Sequence, residues 1–127
     1  MAADLRHRRG VDESMRRAKL IAFLNATVTM VRSDKPDLTD RQKAVLVKAY
    51  VDDRDQTVRG LAKYAQVSKP AITRALDRLA EFDLIRRKTD PLDRRSVIVQ
   101  QTAAGRAYLR EFGDILVLAS DSVIEEP

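Results

Sequence analysis

Apolar residues recur at helical spacing from Asp12 to about Arg32, where Met15, Ala18, Ile21, Leu24, Val28 and Val31 form one stripe and predict an amphipathic helix. Pro36 marks its end. Thr39 and Gln42 then form a capping-box pair, starting a helix that carries Val45, Leu46 and Ala49 and fades in the acidic run Asp52, Asp53, Asp55. Thr57 suits the N-cap of a short third helix with Leu61, Ala62 and Ala65, although Gly60 weakens it by about 1 kcal/mol relative to alanine. After the connection Gln66-Val67-Ser68, Ser68 can cap a fourth helix with Pro70 in its first turn. Ile72, Leu76, Leu79 and Phe82 make its inward stripe, and Lys69, Thr73, Arg74, Asp77 and Arg78 lie mostly off it.

Beyond Asp83 the period changes. Leu84–Lys88 and Ser96–Gln101 read as two short strands, the second with Val97, Ile98 and Val99, and residues 89–95 between them read as a polar hairpin loop. Thr102 can cap a last helix holding Phe112, Ile115 and Leu116. The fold expected is mainly α with a small β-hairpin wing, a winged helix-turn-helix. On the reading built below, residues 1–11 are expected to be a flexible basic arm, 12–35 an N-terminal dimerisation helix, 36–101 the DNA-binding region, and 102–127 a C-terminal helix with an acidic tail that also serves dimerisation.

Charge sharpens this picture. The net charge is +5, and the stretch 54–95 alone holds eleven Lys and Arg against six Asp and Glu, whereas five acidic residues and no basic one follow from Glu111 onward. A basic middle can face a phosphate backbone while the tail stays clear of it. The chain has no cysteine, which excludes disulfides, thiol nucleophiles and cysteine-held zinc. Its one histidine, His7, falls in the arm, and no phosphate loop or dinucleotide fingerprint occurs, so no enzyme, cofactor or metal site is expected. No apolar run is long enough to cross a bilayer and no signal peptide is evident; the expected location is cytoplasmic and nucleoid-associated.

Two helices joined by a three-residue turn make a helix-turn-helix whose second helix, residues 68–82, fits the major groove. Its outward positions Ser68, Lys69, Thr73 and Arg74 are candidates for base edges, and Arg78 for the backbone. The alternative is an ordinary solvated helix face. In the wing, residues 89–95, Arg94 and Arg95 are candidates for the minor groove or phosphates, with Asp93 holding an arginine in position. A charged, solvated turn is the alternative there. Leu24, Val28, Val31, Phe112, Ile115 and Leu116 are the candidate interface of a homodimer, or else they close a monomer core.

These residues carry a resemblance. Leu38-Thr39-Asp40-Arg41-Gln42, Leu61-Ala62-Lys63, Val67 through Arg74, Leu79, Leu84 through Arg87, Asp93-Arg94-Arg95, Thr102 and Gly105 resemble the MarR family of bacterial winged helix-turn-helix regulators over about residues 38–106. The resemblance implies a homodimeric repressor or activator on a near-palindromic operator, with repression the reading adopted, and with Arg94 as the wing arginine oriented by Asp93. Many relatives release DNA when a small-molecule effector binds, and the departures of this chain also leave open a ligand-free regulator or one controlled by a protein partner. Asp83 stands where that family usually has glycine, Gln101 where it has leucine, and only about 25 residues follow Thr102, leaving little material for a conventional ligand pocket. Two other functions fit the same pattern: a winged-helix protein–protein interaction module, and a non-specific DNA-associated factor with no effector.

Overall fold

The computed structural model describes residues 10–121. The basic arm through residue 9, with His7, and the acidic tail from residue 122 lie outside the described residues. Five helices and three strands follow in the order α1 (Glu13–Arg32), α2 (Asp40–Val51), β1 (Gln56–Thr57), α3 (Val58–Ala65), α4 (Lys69–Glu81), β2 (Ile85–Asp90), β3 (Asp93–Gln101) and α5 (Ala103–Asp121). The chain divides into two compact units, one of residues 35–111 and one of residues 1–34 with 112–127.

Local chemistry sets the boundaries within the 35–111 unit. Thr39 accepts a hydrogen bond from the Gln42 N–H at 3.2 Å, and the Thr39 N–H donates to Gln42 Oε1 at 2.9 Å, which closes the expected capping box. Thr57 accepts from the Gly60 N–H at 3.0 Å and Ser68 from the Ala71 N–H at 3.2 Å, starting α3 and α4. Both helices end on a left-handed residue that is not glycine, Gln66 at φ 57° and Asp83 at φ 57°. In each case the following N–H reaches back to close the last turn, Val67 to the Ala62 carbonyl and Leu84 to the Leu79 carbonyl.

The core of this unit is built where the apolar stripes of α2, α3 and α4 meet the sheet. Leu46, Leu61, Ile72, Leu76, Leu79 and Ile85 are its largest fully buried side chains. The sheet is antiparallel with order β1-β3-β2. Strand β1 was not expected: it consists of Gln56 and Thr57, which pair with Val99 and Ile98. Two residues carry no period, so nothing in their pattern announces a strand.

The wing also departs from the expectation of a seven-residue polar loop. Strand β2 continues to Asp90 and β3 begins at Asp93, leaving Pro91 and Leu92 as the turn. The ladder runs regularly from Ile85↔Gln101 to Thr89↔Val97 and then jumps to Asp90↔Asp93. Arg94, Arg95 and Ser96 therefore bulge from β3 with no counterpart on β2.

In the other unit, α1 starts on Asp12, whose carboxylate accepts from the Met15 N–H at 2.8 Å. Hydrogen bonds from the Ser14 hydroxyl and that N–H hold the Asp12 carboxyl below its ordinary pKa. Only Ile21 and Ala26 are buried on α1.

Candidate nucleic-acid interface

The outward face of α4 is sorted by charge along its length. Ala71, Ile72, Ala75, Leu76 and Leu79 point into the core, and Ser68, Lys69, Thr73, Arg74, Asp77 and Arg78 are exposed. Ser68 keeps its hydroxyl on the Ala71 N–H as the cap. Among the described residues, Lys69, Thr73 and Arg74 make no side-chain hydrogen bond or ion pair, so the first two turns present two uncommitted cations.

The last turns differ. Asp77 meets the Arg87 guanidinium of β2 at 2.6 Å, and Glu81 meets Arg78 at 2.8 Å. Arg78 also lies over the Phe82 ring at 4.5 Å. Both carboxylates on the exposed face are thus covered by an arginine, which removes most of the repulsion that a phosphate would meet there. Arg78 is accordingly engaged at the helix end, unlike Lys69 and Arg74.

The wing carries the second cationic group. Arg94 and Arg95 are exposed. The Asp93 carboxylate accepts from the Arg95 N–H at 3.1 Å and lies 3.7 Å from the Arg95 Nε. The arginine that Asp93 holds in this structure is therefore Arg95, and Arg94 has no side-chain partner among the described residues. The bulge accounts for this, because it turns the two arginines out of the ladder and brings the Arg95 N–H back toward Asp93.

A buried clamp fixes the base of the wing to the end of α4. The Tyr50 hydroxyl donates to the Leu84 carbonyl at 2.8 Å and accepts from the Thr102 N–H at 3.0 Å. The Thr102 hydroxyl donates to the Asp83 carbonyl at 2.6 Å and accepts from the Gly105 N–H at 2.9 Å, so Thr102 caps α5 as its position implied. Gly105 is required for close approach: a Cβ there would sit 1.9 Å from the Tyr50 Oη and 2.2 Å from the Leu84 carbonyl oxygen. Sequence reasoning missed Tyr50 and the Asp77–Arg87 pair. No local spacing joins them, because their partners are distant in the chain.

Behind the wing, an open groove of about 440 Å³ is lined by Asp52, Asp53, Arg54, Asp55, Gln56, Arg86 and Lys88, among others. In the acidic run where α2 ends, Asp52 is largely shielded and acts as a hub. Its carboxylate accepts from the Arg54 side chain at 3.1 Å, from Lys48 at 2.8 Å and from the Arg54 N–H at 2.9 Å, which together hold it well below the usual carboxylate range. The Tyr108 phenol is pushed up, by burial first and by the charge of Asp37 second. No His, Cys, Asp and Glu cluster that could hold a metal ion occurs among the described residues. None of the described helices is long and apolar enough to cross a membrane.

The interface candidates of the terminal unit are placed as follows. Leu24, Val31 and Leu116 are exposed, and Val28, Phe112 and Ile115 are half-buried. Leu20, Phe23, Val117 and Leu118, which lie off the expected stripe, are also exposed.

Comparison with known proteins bears on this geometry. A family model described as the MarR family matches residues 38–97. A solved structure of MarR is 26% identical and covers 85% of this chain and 74% of its own, with a TM-score of 0.62. A mutant MarR from E. coli complexed with operator DNA is 24% identical, with 81% and 68% covered and a TM-score of 0.62. An S. aureus MepR–DNA complex is 20% identical, with 85% and 80% covered and a TM-score of 0.62. Among curated proteins no sequence matches.

Proposed function

We propose, from the match of residues 38–97 to the MarR family model, that the protein is a member of that family and a sequence-specific, double-stranded-DNA-binding transcriptional regulator, a repressor that acts in the cytoplasm on the nucleoid. One observation carries the reading: uncommitted cations stand on the exposed start of α4 and on the wing, while the carboxylates beside them are covered by arginines. Lys69, Thr73 and Arg74, with Ser68 at the helix start, read base edges in the major groove. Arg94 and Arg95 take the minor groove or the phosphates, and Arg78 supports the backbone contact from the helix end. The similarity to MarR and MepR structures solved with DNA supports the DNA-binding reading.

The exposed apolar side chains of α1 and the end of α5 support a homodimer through the terminal helices. Two copies would set two recognition helices in successive major grooves about 34 Å apart, which matches a near-palindromic operator.

A salt titration on promoter DNA and on a scrambled duplex, with stoichiometry read alongside, tests this. A dimer that binds selectively with a steep salt slope is expected. Lys69→Ala and Arg74→Ala should each weaken selected DNA by about tenfold to a hundredfold and relax sequence preference. Arg94→Ala should weaken all duplexes alike and flatten the slope. Binding that ignores sequence would leave a non-specific DNA-associated factor, and no binding would leave a protein-binding winged helix.

A further inference from the structure

Among the described residues, Leu92 is the most exposed large apolar side chain, at 94%. It stands at the apex of the wing, in a turn held by its own hydrogen bonds: the Leu92 N–H donates to Asp90 Oδ1 at 2.9 Å and Pro91 fixes the preceding backbone. Nothing in the turn requires leucine. Such positions ordinarily take Asn, Asp, Ser or Gly, and a side chain left in water adds nothing to folding.

Resting on the DNA-binding reading above, we infer that Leu92 is an apolar wedge that enters the minor groove and selects a deformable base step beside each half-site. The argument is one of width and chemistry. The minor groove is about 6 Å wide, whereas two paired strands are already about 4.8 Å apart before their side chains are counted. The ribbon itself cannot enter, so only the apex side chain reaches the floor, and the apex is Leu92. Arg94 and Arg95 bulge from the strand behind it and meet the anionic walls, while the sugars and base edges of the floor offer leucine an apolar seat. Leucine makes no hydrogen bond to a base. What it reads is the ease of unstacking, which is greatest at pyrimidine–purine steps such as TA and CA/TG.

The test uses a duplex that the full-length protein selects from a random-sequence pool, with 2-aminopurine placed in turn at the steps flanking each half-site. Wild-type protein should raise the fluorescence at one flanking step per half-site. Leu92→Ala should abolish that rise and weaken binding by about tenfold with the salt slope unchanged, and Leu92→Met should restore both. Leu92 packs on nothing, so Leu92→Ala should melt like wild type. If Leu92→Ala binds as tightly as wild type, or if the 2-aminopurine stays quenched throughout, the wedge is wrong while the DNA-binding reading stands. If the pool yields no selected duplex, the sequence-specific reading falls and the wedge falls with it.

Discussion

The two units of this chain treat their apolar residues in opposite ways. In residues 35–111, Leu46, Leu61, Ile72, Leu76, Leu79 and Ile85 are sealed from water, and only Val51, Tyr64 and Leu92 stand out as exposed large apolar side chains. In the described part of the other unit, Ile21, Ala26 and Ala119 are buried, whereas Met15, Leu20, Phe23, Leu24, Val31, Leu116, Val117 and Leu118 are exposed. Apolar surface left in water over several neighbouring turns marks a surface meant for a partner. The first unit closes its apolar surface within one chain, and the second leaves much of its own open to the association proposed above.

Equivalent substitutions in the two units should separate these roles. Leu76→Ala, at a fully buried site, should cost about 3–4 kcal/mol of stability in chemical unfolding at any protein concentration. Leu116→Ala should cost under about 0.5 kcal/mol in the isolated chain, and should instead lower the melting temperature at concentrations where a dimer forms, with the gap to wild type closing on dilution. If both variants lose stability alike and independently of concentration, the terminal helices are an ordinary core and the contrast is broken.

Gly105→Ala probes how tightly the 35–111 unit closes on itself. The added methyl would collide with the Tyr50 Oη and the Leu84 carbonyl, so the clamp must open at a cost of about 3 kcal/mol. Removing the hydroxyl as well, in Tyr50→Phe with Gly105→Ala, should not restore stability, because the Tyr50 ring carbon at 2.7 Å and the Leu84 carbonyl at 2.2 Å still obstruct the methyl and the clamp's hydrogen bonds are gone. A Gly105→Ala protein that melts like wild type would refute the clamp.

A smaller effect in the opposite direction is expected at Asp83. Its backbone sits at φ 57°, a conformation that costs a side-chain-bearing residue about 1 kcal/mol, and its 3.7 Å ion pair with Arg86 is exposed. Asp83→Gly should therefore stabilise the unit by about 0.5–1 kcal/mol, readable as a rise in melting temperature.

The smallest effect is one of pH. Asp52 is held below its ordinary pKa by Arg54 and Lys48, so it releases its proton more readily folded than unfolded. Its stabilising contribution is complete above the unfolded carboxylate value, about pH 4, and declines as the pH falls further toward the folded value. Asp52→Asn should flatten the acid limb of the stability curve; an unchanged limb would show that the hub carries no such linkage.

How much of this was legible in the sequence follows the range of the interactions. The helices of the 35–111 unit were readable because capping residues lie within three positions of their targets and the stripes of α2, α3 and α4 face one core. The turn at Asp83 was marked only by the resemblance, which puts glycine at that position, and the structure finds it left-handed. Strand β1 was not, since two residues cannot show a period, and the short wing turn was hidden because Thr89, Asp90 and Asp93 resemble loop residues in composition. Tyr50, paired with Leu84 and Thr102 across the fold, leaves no local trace. On α1 the stripe is present in the sequence, yet Leu24 and Val31 on it are exposed in the single chain, and so are Leu20 and Phe23 off it. Periodicity reports that a face is apolar and leaves open what covers it.

The jump in the wing ladder gives the hairpin a seam. Below Thr89 and Val97 every pair is in regular register and tied to the clamp, while above them the turn and the bulge hold only to each other. Lengthening, shortening or exchanging the cap beyond that seam changes the reach of the tip without shifting a pair beneath it. The wing is thereby a natural splice point, where tips from unrelated hairpins could be grafted and screened while α4 keeps its seat.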